Sequence, residues 1–320
     1  MTRTPPRVVF DEFSVRFDEL LDTTDHTATV EAGLEALADA LFDFRASAIV
    51  VVVSPFLADA ECWPGVLFAA FLGGQRLPTE SGIAMVDRDS RLRLSSLLSK
   101  CPEWNDDVPF DVSVNGHTSF APSIAWAHGR QAVKQRVACL VFQASQRRGE
   151  VLVTITGKSA MVWFLAGADE LPAFLRTLFE FENVGEQEFF QLASQAFPRL
   201  RFASSLSFGK FEGSYRELRA PVVQHLGAIN DHFLDALHHH QGKPWEVAQE
   251  LGGHGCNISR ESEKTRQSKA LMTHRDVEHH GTNFRCEWHS KLQPDKNRIH
   301  FVKLDDQSVF IGIFVKHLPI

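Results

Sequence analysis

The sequence predicts an α+β protein in two parts, and three observations carry that prediction. A helix-period run over 27–44 is followed at once by the β-branched run Ile49 to Val53. Strand-like runs recur between 137 and 165, ahead of two more helix-period segments. The last 37 residues, Phe284 to Ile320, then break into three short stretches divided by turn residues. Alternating helix and strand periods with hairpin-length spacers point to an antiparallel sheet with covering helices.

In chain order, Val30, Leu34, Leu37, Leu41 and Phe44 recur at spacings of four and three, which places them on one helical face. The run Ile49-Val50-Val51-Val52-Val53 has no polar alternation, so it reads as a central strand buried on both faces. Val66 to Leu72 closes on Gly73-Gly74, Ile83 to Val86 reads as a short strand, and Leu92 to Lys100 as a helix. Pro102, Pro109, Gly116, Pro122 and Gly129 make 102–130 a loop with one strand near Phe110 to Val114, and His128 falls in it. Val137 to Ala144 and Val151 to Thr156 flank Gln146-Arg147-Arg148-Gly149, a hairpin signal, and Ala160 to Leu165 completes a meander. Asp169 and Pro172 open a helix, a second helix spans Glu186 to Phe197, and Leu200 to Phe208 alternates as a strand.

Gly209 and Gly213 mark the expected boundary between an acidic body, 1–208, and a second part, 209–320. Ser214 and Glu217 fit a capping box, with Pro221 as a rival helix start. Leu218, Val222, Leu226, Ile229, Phe233 and Leu237 continue that helix to His238-His239-His240, and Pro244 to Leu251 forms a shorter one before Gly252-Gly253. Asn257 to Asn283 is polar and lacks an apolar period, so it reads as an exposed flap. Three antiparallel strands follow, the first containing Arg285 to Lys291, the second Asn297 to Phe301, the third beginning at Val309.

Composition narrows the function classes. A hydrophobic fraction of 44% is that of a globular chain, and no run reaches the roughly 20 apolar residues that span a bilayer. Five cysteines are widely spaced and form no CxxC pair, and Met1 to Arg7 holds no apolar signal region, so a cytoplasmic protein is expected. The net charge is −7, yet the last 70 residues carry 11 Lys and Arg against 8 Asp and Glu. Twelve of the fifteen histidines lie at or after His225. An acidic body with a mildly basic, histidine-rich end suits an enzyme acting on nucleic acid, although the basic excess is too small for strong non-specific binding. Phosphate-loop, dinucleotide-binding and nucleophile-elbow motifs are absent from the sequence.

Strand parity then selects the candidate site. A period of two places Glu287, His289 and Lys291 on one face, and Arg298 with His300 on one face of the next strand. Two histidines with a lysine or arginine can supply the base, the acid and the charge stabilisation that RNA cleavage through its own 2′-hydroxyl requires. His289 and His300 are the expected acid–base pair, Lys291 and Arg298 the cations, and Glu287 the group orienting one imidazole; Arg285, Lys316 and His317 would bind substrate. No metal or other cofactor is expected for that chemistry. Zinc on Cys286 and His289, with Cys256, His274, His279 or His280, is disfavoured because residues three apart on a strand face opposite ways. A magnesium nuclease using Glu287 and Lys291 needs a further carboxylate, Asp276 or Asp231.

The runs Asn297-Arg298-Ile299-His300-Phe301 and Val309-Phe310-Ile311-Gly312-Ile313-Phe314-Val315-Lys316-His317 resemble the final strands of RelE-like bacterial toxins. The resemblance covers about the last 40 residues. It implies a ribosome-dependent mRNA interferase presenting basic residues on a curved sheet, with Arg298 and Lys316 at basic positions of the pattern. The leading expectation is therefore a toxin-like endoribonuclease whose acidic body contacts protein partners. The alternatives are a docking subunit of a larger, defence-type bacterial assembly, and a metal-dependent nuclease. No membrane partner is expected.

Overall fold

In a computed structural model the chain divides into two units, Met1–Phe174 and Leu175–Ile320. The structure describes residues 6–17, 26–79, 82–84, 86–109, 111–142, 147–182 and 184–319. The α+β class holds, with helices and several antiparallel or mixed sheets. The position 208/209, where the glycine pair suggested a boundary, lies inside the second unit.

The first unit begins with β1 (Val8–Phe10), α1 (His26–Ala46) and β2 (Val51–Val52). Two small hairpins follow, β3 (Glu61–Trp63) with β4 (Val66–Leu67), and β5 (Leu77–Thr79) with β6 (Gly82–Ala84), separated by α2 (Phe68–Leu72). Next come α3 (Arg88–Leu98), β7 (Asp111–Val114), β8 (His117–Phe120), α4 (Pro122–Ala132), β9 (Ala138–Leu140), β10 (Gly149–Ile155) and β11 (Lys158–Leu165). Among the described residues, seven of these strands form one sheet in the order β2-β1-β9-β11-β10-β7-β8. Its first half is parallel and its second antiparallel.

Helix α1 buries the apolar face that its spacing predicts. The valine run, however, lies at an edge of the sheet. Val51, Val52 and Val53 are buried there because the chain after α3 closes the edge: Val53 N donates to Pro102 O at 3.0 Å and Trp104 N to Val53 O at 3.1 Å. A covered edge and a central strand leave the same apolar run in a sequence. The expected hairpin over 137–156 does not form either, and its Gln146 lies outside the described residues. Instead β9 runs parallel between β1 and β11, and the hairpin is β10–β11. Its two turn residues, Thr156 and Gly157, have φ of 47° and 79°, the backbone that matches the twist of paired strands. Helix α4 replaces part of the expected loop, because Pro122 stands in its first turn, where a missing N–H costs nothing.

Directly after β1 come Asp11 and Glu12, both fully buried. Ser123 Oγ donates to Glu12 at 2.6 Å, and Arg147 lies 3.3 Å from Asp11. Among the described residues, no hydrogen-bond donor meets Asp11 Oδ1 or Glu12 Oε1.

The division between the units falls within α5 (Leu171–Phe181). The second unit then has α6 (Glu186–Ala196), β12 (Leu200–Phe202), α7 (Tyr215–Ala228), α8 (Leu234–His239) and α9 (Pro244–Gly253). The expected flap is instead structured as β13 (Ile258–Arg260), α10 (Glu263–Gln267), α11 (Lys269–Thr273) and β14 (Asp276–His279), the last paired with β15 (Thr282–Arg285). The chain ends in β16 (Trp288–Lys291), β17 (Arg298–Lys303) and β18 (Val309–Val315), antiparallel as predicted. Strands β13 and β12 extend them to five in the order β12-β18-β17-β16-β13.

The capping box at Ser214 and Glu217 starts α7, so Pro221 sits within the helix rather than at its first turn. A π-helical turn, Ile229–Phe233, joins α7 to α8 without interrupting the helical path. Phe233 leaves this turn to meet Trp288 and Phe301 edge-on, at ring distances of 5.3 and 5.0 Å. One face of the sheet is thereby sealed, and removing a buried phenylalanine of this kind costs about 3–5 kcal/mol. Between β17 and β18 the register shifts at His300/Phe301, opposite Gly312. A Cβ on Gly312 would run into the Cys286 sulfur and come within 3.1 Å of Val277 Cγ2. No helix among the described residues is long and apolar enough to cross a membrane.

Candidate functional site

The site is built by pairing on the face of the second sheet away from Phe233. In the β16–β17 ladder His289 stands opposite His300, and Lys291 opposite Arg298. The two imidazoles lie 5.2 Å apart between ring centroids. On the other side of β16, Ser259 of β13 pairs with His289, and its hydroxyl lies 3.0 Å from His289 Nε2. Two residues on from Ser259, and so on the same face, comes Glu261, whose N–H donates to Glu287 O at 2.8 Å.

Glu261 is the centre of the cluster. Its Oε1 lies 3.3 Å from His289 Nδ1 and 3.6 Å from His300 Nδ1. The Arg275 guanidinium brackets the same carboxylate, with Nε 3.1 Å from Oε1 and Nη2 3.3 Å from Oε2. Arg275 also donates to Leu271 O and to Pro319 O, each at 2.9 Å. All four groups are buried: Arg275 and His300 are 1% exposed, Glu261 6% and His289 8%.

Burial sets the protonation states. It pushes the His300 imidazole down, His289, Arg275 and Arg298 add to that against the pull of Glu261, and the result is about 3. Burial pushes the Glu261 carboxyl up, but His289 and Arg275 outweigh it and hold the group at about 2. Near neutral pH the cluster therefore contains an ionised carboxylate and a neutral His300. A neutral, enclosed imidazole cannot donate the proton that a two-histidine acid–base pair requires of one member.

The other expected site residues divide into those brought to this face and those held elsewhere. Lys291 and Arg298 are half-exposed beside the histidines, and among the described residues neither has a carboxylate partner. Glu287 does not orient an imidazole. It precedes the strand by one residue and pairs with Arg260, Nη2 to Oε2, at 2.6 Å. Arg285 is paired across β14–β15 with Asp276 at 2.7 Å. Asp231, the other carboxylate proposed for a magnesium site, is held by Arg176 at 2.6 Å. Lys316 contacts Glu212, which Lys296 also holds, and hydrogen bonds from these two lysines keep Glu212 down at about 2. His317 is exposed beyond the end of β18. His128 lies in α4, not in a loop.

Two groups of potential metal ligands converge among the described residues, and neither includes a cysteine. One is exposed: His239, His240 and Glu250, at the histidine-rich helix end. The other is buried: Glu261, His289 and His300. Cys286 lies instead in an apolar cluster with Ala203 and Phe310, and burial pushes its thiol up to about 12. No family model matches the chain, and neither does any curated protein or solved structure.

Glu261 and Arg275 were not foreseen, although Ser259-x-Glu261 has the parity of a strand. Polarity masked that signal. The opposite face of β16 holds a second polar group that was missed, in which Ser290 Oγ is hydrogen-bonded to His225 Nδ1, with Cys256 Sγ 3.7 Å from each. Burial pushes His225 down to about 4 and Cys256 up to about 12, so both are neutral interior groups near neutral pH.

Proposed function

We propose that the second unit is a nucleic-acid-acting effector module, an endoribonuclease in its sharpest form, that seats a backbone phosphate between Lys291 and Arg298. One observation carries this reading: two register-paired cations, without a carboxylate partner among the described residues, stand beside the imidazole–carboxylate cluster. Cations placed side by side repel one another, and an anion across both relieves that repulsion. The resemblance of the last strands to RelE-like toxins supports RNA as the polymer. The acidic net charge of the chain suits a module that binds at one seat rather than along a broad basic surface. In this reading the first unit serves regulation or assembly.

A docking role for the same face is the competing reading, favoured by the burial of both imidazoles. One experiment separates the two. Labelled single-stranded RNA is incubated with the full chain, with and without chelator, and both cleavage and binding are read. Lys291→Ala with Arg298→Ala is expected to weaken binding at least tenfold and to flatten its salt dependence by about two charges. Cleavage lost in the double variant supports the endoribonuclease, binding without cleavage supports docking of nucleic acid, and neither signal overturns the proposal.

A further inference from the structure

The atoms that face one another inside the cluster have no hydrogen bonds. Among the described residues, His289 Nδ1, Glu261 Oε1, Arg275 Nε and both ring nitrogens of His300 are buried without a partner of acceptable geometry. Buried polar atoms are nearly always satisfied, so several that converge on one point indicate a missing guest. One ligand atom from each residue lies within 4.8 Å of the other two. We infer that Glu261, His289 and His300 form a binding site for one first-row divalent transition ion.

The donor set specifies the class of ion. Two imidazoles and one carboxylate suit zinc, iron(II), cobalt(II) or manganese, whereas magnesium and calcium take oxygen ligands almost exclusively. Ligands at about 2.0–2.2 Å from a common ion stand about 3–4 Å from each other. The separations of 3.3 and 3.6 Å from Glu261 Oε1 to the two Nδ1 atoms already meet that span.

The surroundings match an outer coordination shell. Ser259 Oγ occupies His289 Nε2, which fixes the ring with Nδ1 turned to the cluster. Arg275 Nη2 reaches Glu261 Oε2, which leaves Oε1 for the ion. Arg275 lies close to Oε1 as well, so a bound ion shares the carboxylate with the guanidinium. With Glu261 and Arg275 cancelling, the ion keeps its charge of two, and an anion is the natural further ligand. If that anion is the phosphate seated at Lys291 and Arg298, the ion also serves the proposed nucleic-acid chemistry. This last link rests on the reading above, whereas ion binding does not.

The test uses the full chain carrying His239→Ala and His240→Ala, which silences the exposed histidine cluster. Chelator-stripped protein is dialysed against zinc or cobalt(II), and bound metal is counted alongside the cobalt absorption spectrum. One ion per chain is expected, with a spectrum of nitrogen and oxygen ligation. His300→Ala and Glu261→Gln should lower affinity by more than the roughly 10–100-fold typical of an outer-shell change, and Ser259→Ala should fall within that range. Should either ligand variant fail to fold by circular dichroism, the parent stoichiometry and Ser259→Ala decide. No retained ion, the result for a site bridged by water alone, overturns the inference, and so does undiminished binding in the ligand variants. One bound ion with no RNA cleavage supports the site while removing the endoribonuclease reading.

Discussion

Each unit buries carboxylates, and the two come out on opposite sides of the carboxylate range. In the first unit, burial dominates at Asp11 and Glu12: it pushes Asp11 up to about 6 against the opposing Arg147, and Glu12 up to about 7 with Asp11 adding to the rise. In the second unit, Glu261 is held at about 2 because His289 and Arg275 together outweigh a burial less complete than that of Asp11 and Glu12. The difference lies in company as well as depth. Asp11, with one arginine at 3.3 Å, adds to the rise of the adjacent Glu12, whereas Glu261 is bracketed by a guanidinium and two imidazoles.

The sharpest way to break this comparison is to remove Glu261. Glu261→Ala strands the Arg275 guanidinium, which is 1% exposed, and a buried charge left unpaired costs about 3–5 kcal/mol. Urea unfolding followed by tryptophan emission from the second unit should show that loss. An unchanged midpoint would mean that the ion pair contributes nothing.

Acid and alkali should act on different units. Glu261 and His300 have folded pKa values below their ordinary ones, 4.5 and 6.5, so the unfolded chain binds protons first as pH falls. Stability of the second unit is therefore full above about 6.5, declines as His300 becomes liable to protonation between 6.5 and 3, and declines further between 4.5 and 2. Asp11 and Glu12 are raised, so the first unit is favoured below 3.8 to 4.5 and loses stability as pH rises through about 6 and 7. Each unit of displacement corresponds to about 1.4 kcal/mol. Peptide-resolved hydrogen exchange at pH 5 and pH 8 should show protection moving in opposite directions in the two units.

The smallest expected effect sharpens the same point. Glu12→Gln keeps the shape of the side chain and removes the charge that burial opposes. At pH 8 the variant should be more stable than the parent by about 3 kcal/mol, and near pH 4 the two should melt together. Thermal melts at both values check this, and a variant less stable at pH 8 would reverse the assignment.

Local signals in the sequence were faithful. The spacing of Val30 to Phe44, the Ser214–Glu217 capping box and the last two terminal strands depend on residues near one another in the chain and appear where expected, whereas the first terminal strand is split at Cys286 and Glu287 into β15 and β16. Parity placed His289 with Lys291 and Arg298 with His300 on shared faces, and the register that parity does not set stands His289 opposite His300 and Lys291 opposite Arg298. What failed was non-local. Whether the valine run is central or at a covered edge is decided by residues 102–104, and the neighbours of β9 are β1 and β11, not the adjacent β10. Half of the cluster was illegible because polarity stands in for exposure when only a sequence is read. Asn257 to Asn283 looks solvated, yet it contains Glu261 and the fully buried Arg275.

The extra residue in β18 has a consequence for how this strand tolerates change. Ile313 stands on the His300 side of the sheet, and after the register shift so does Phe310, three positions away rather than two or four. Phe314 and Ile311 keep the opposite side by the same offset. Gly312 therefore divides β18 into two reading frames, each correct for its own half of β17. Substitutions within either half act one residue at a time, and an insertion or deletion inside a half would exchange the inner and outer residues beyond it, whereas deletion of Gly312 itself would join Ile311 to Ile313 in ordinary alternation. Lineages of this chain should accordingly vary the residues of this strand more freely than its length.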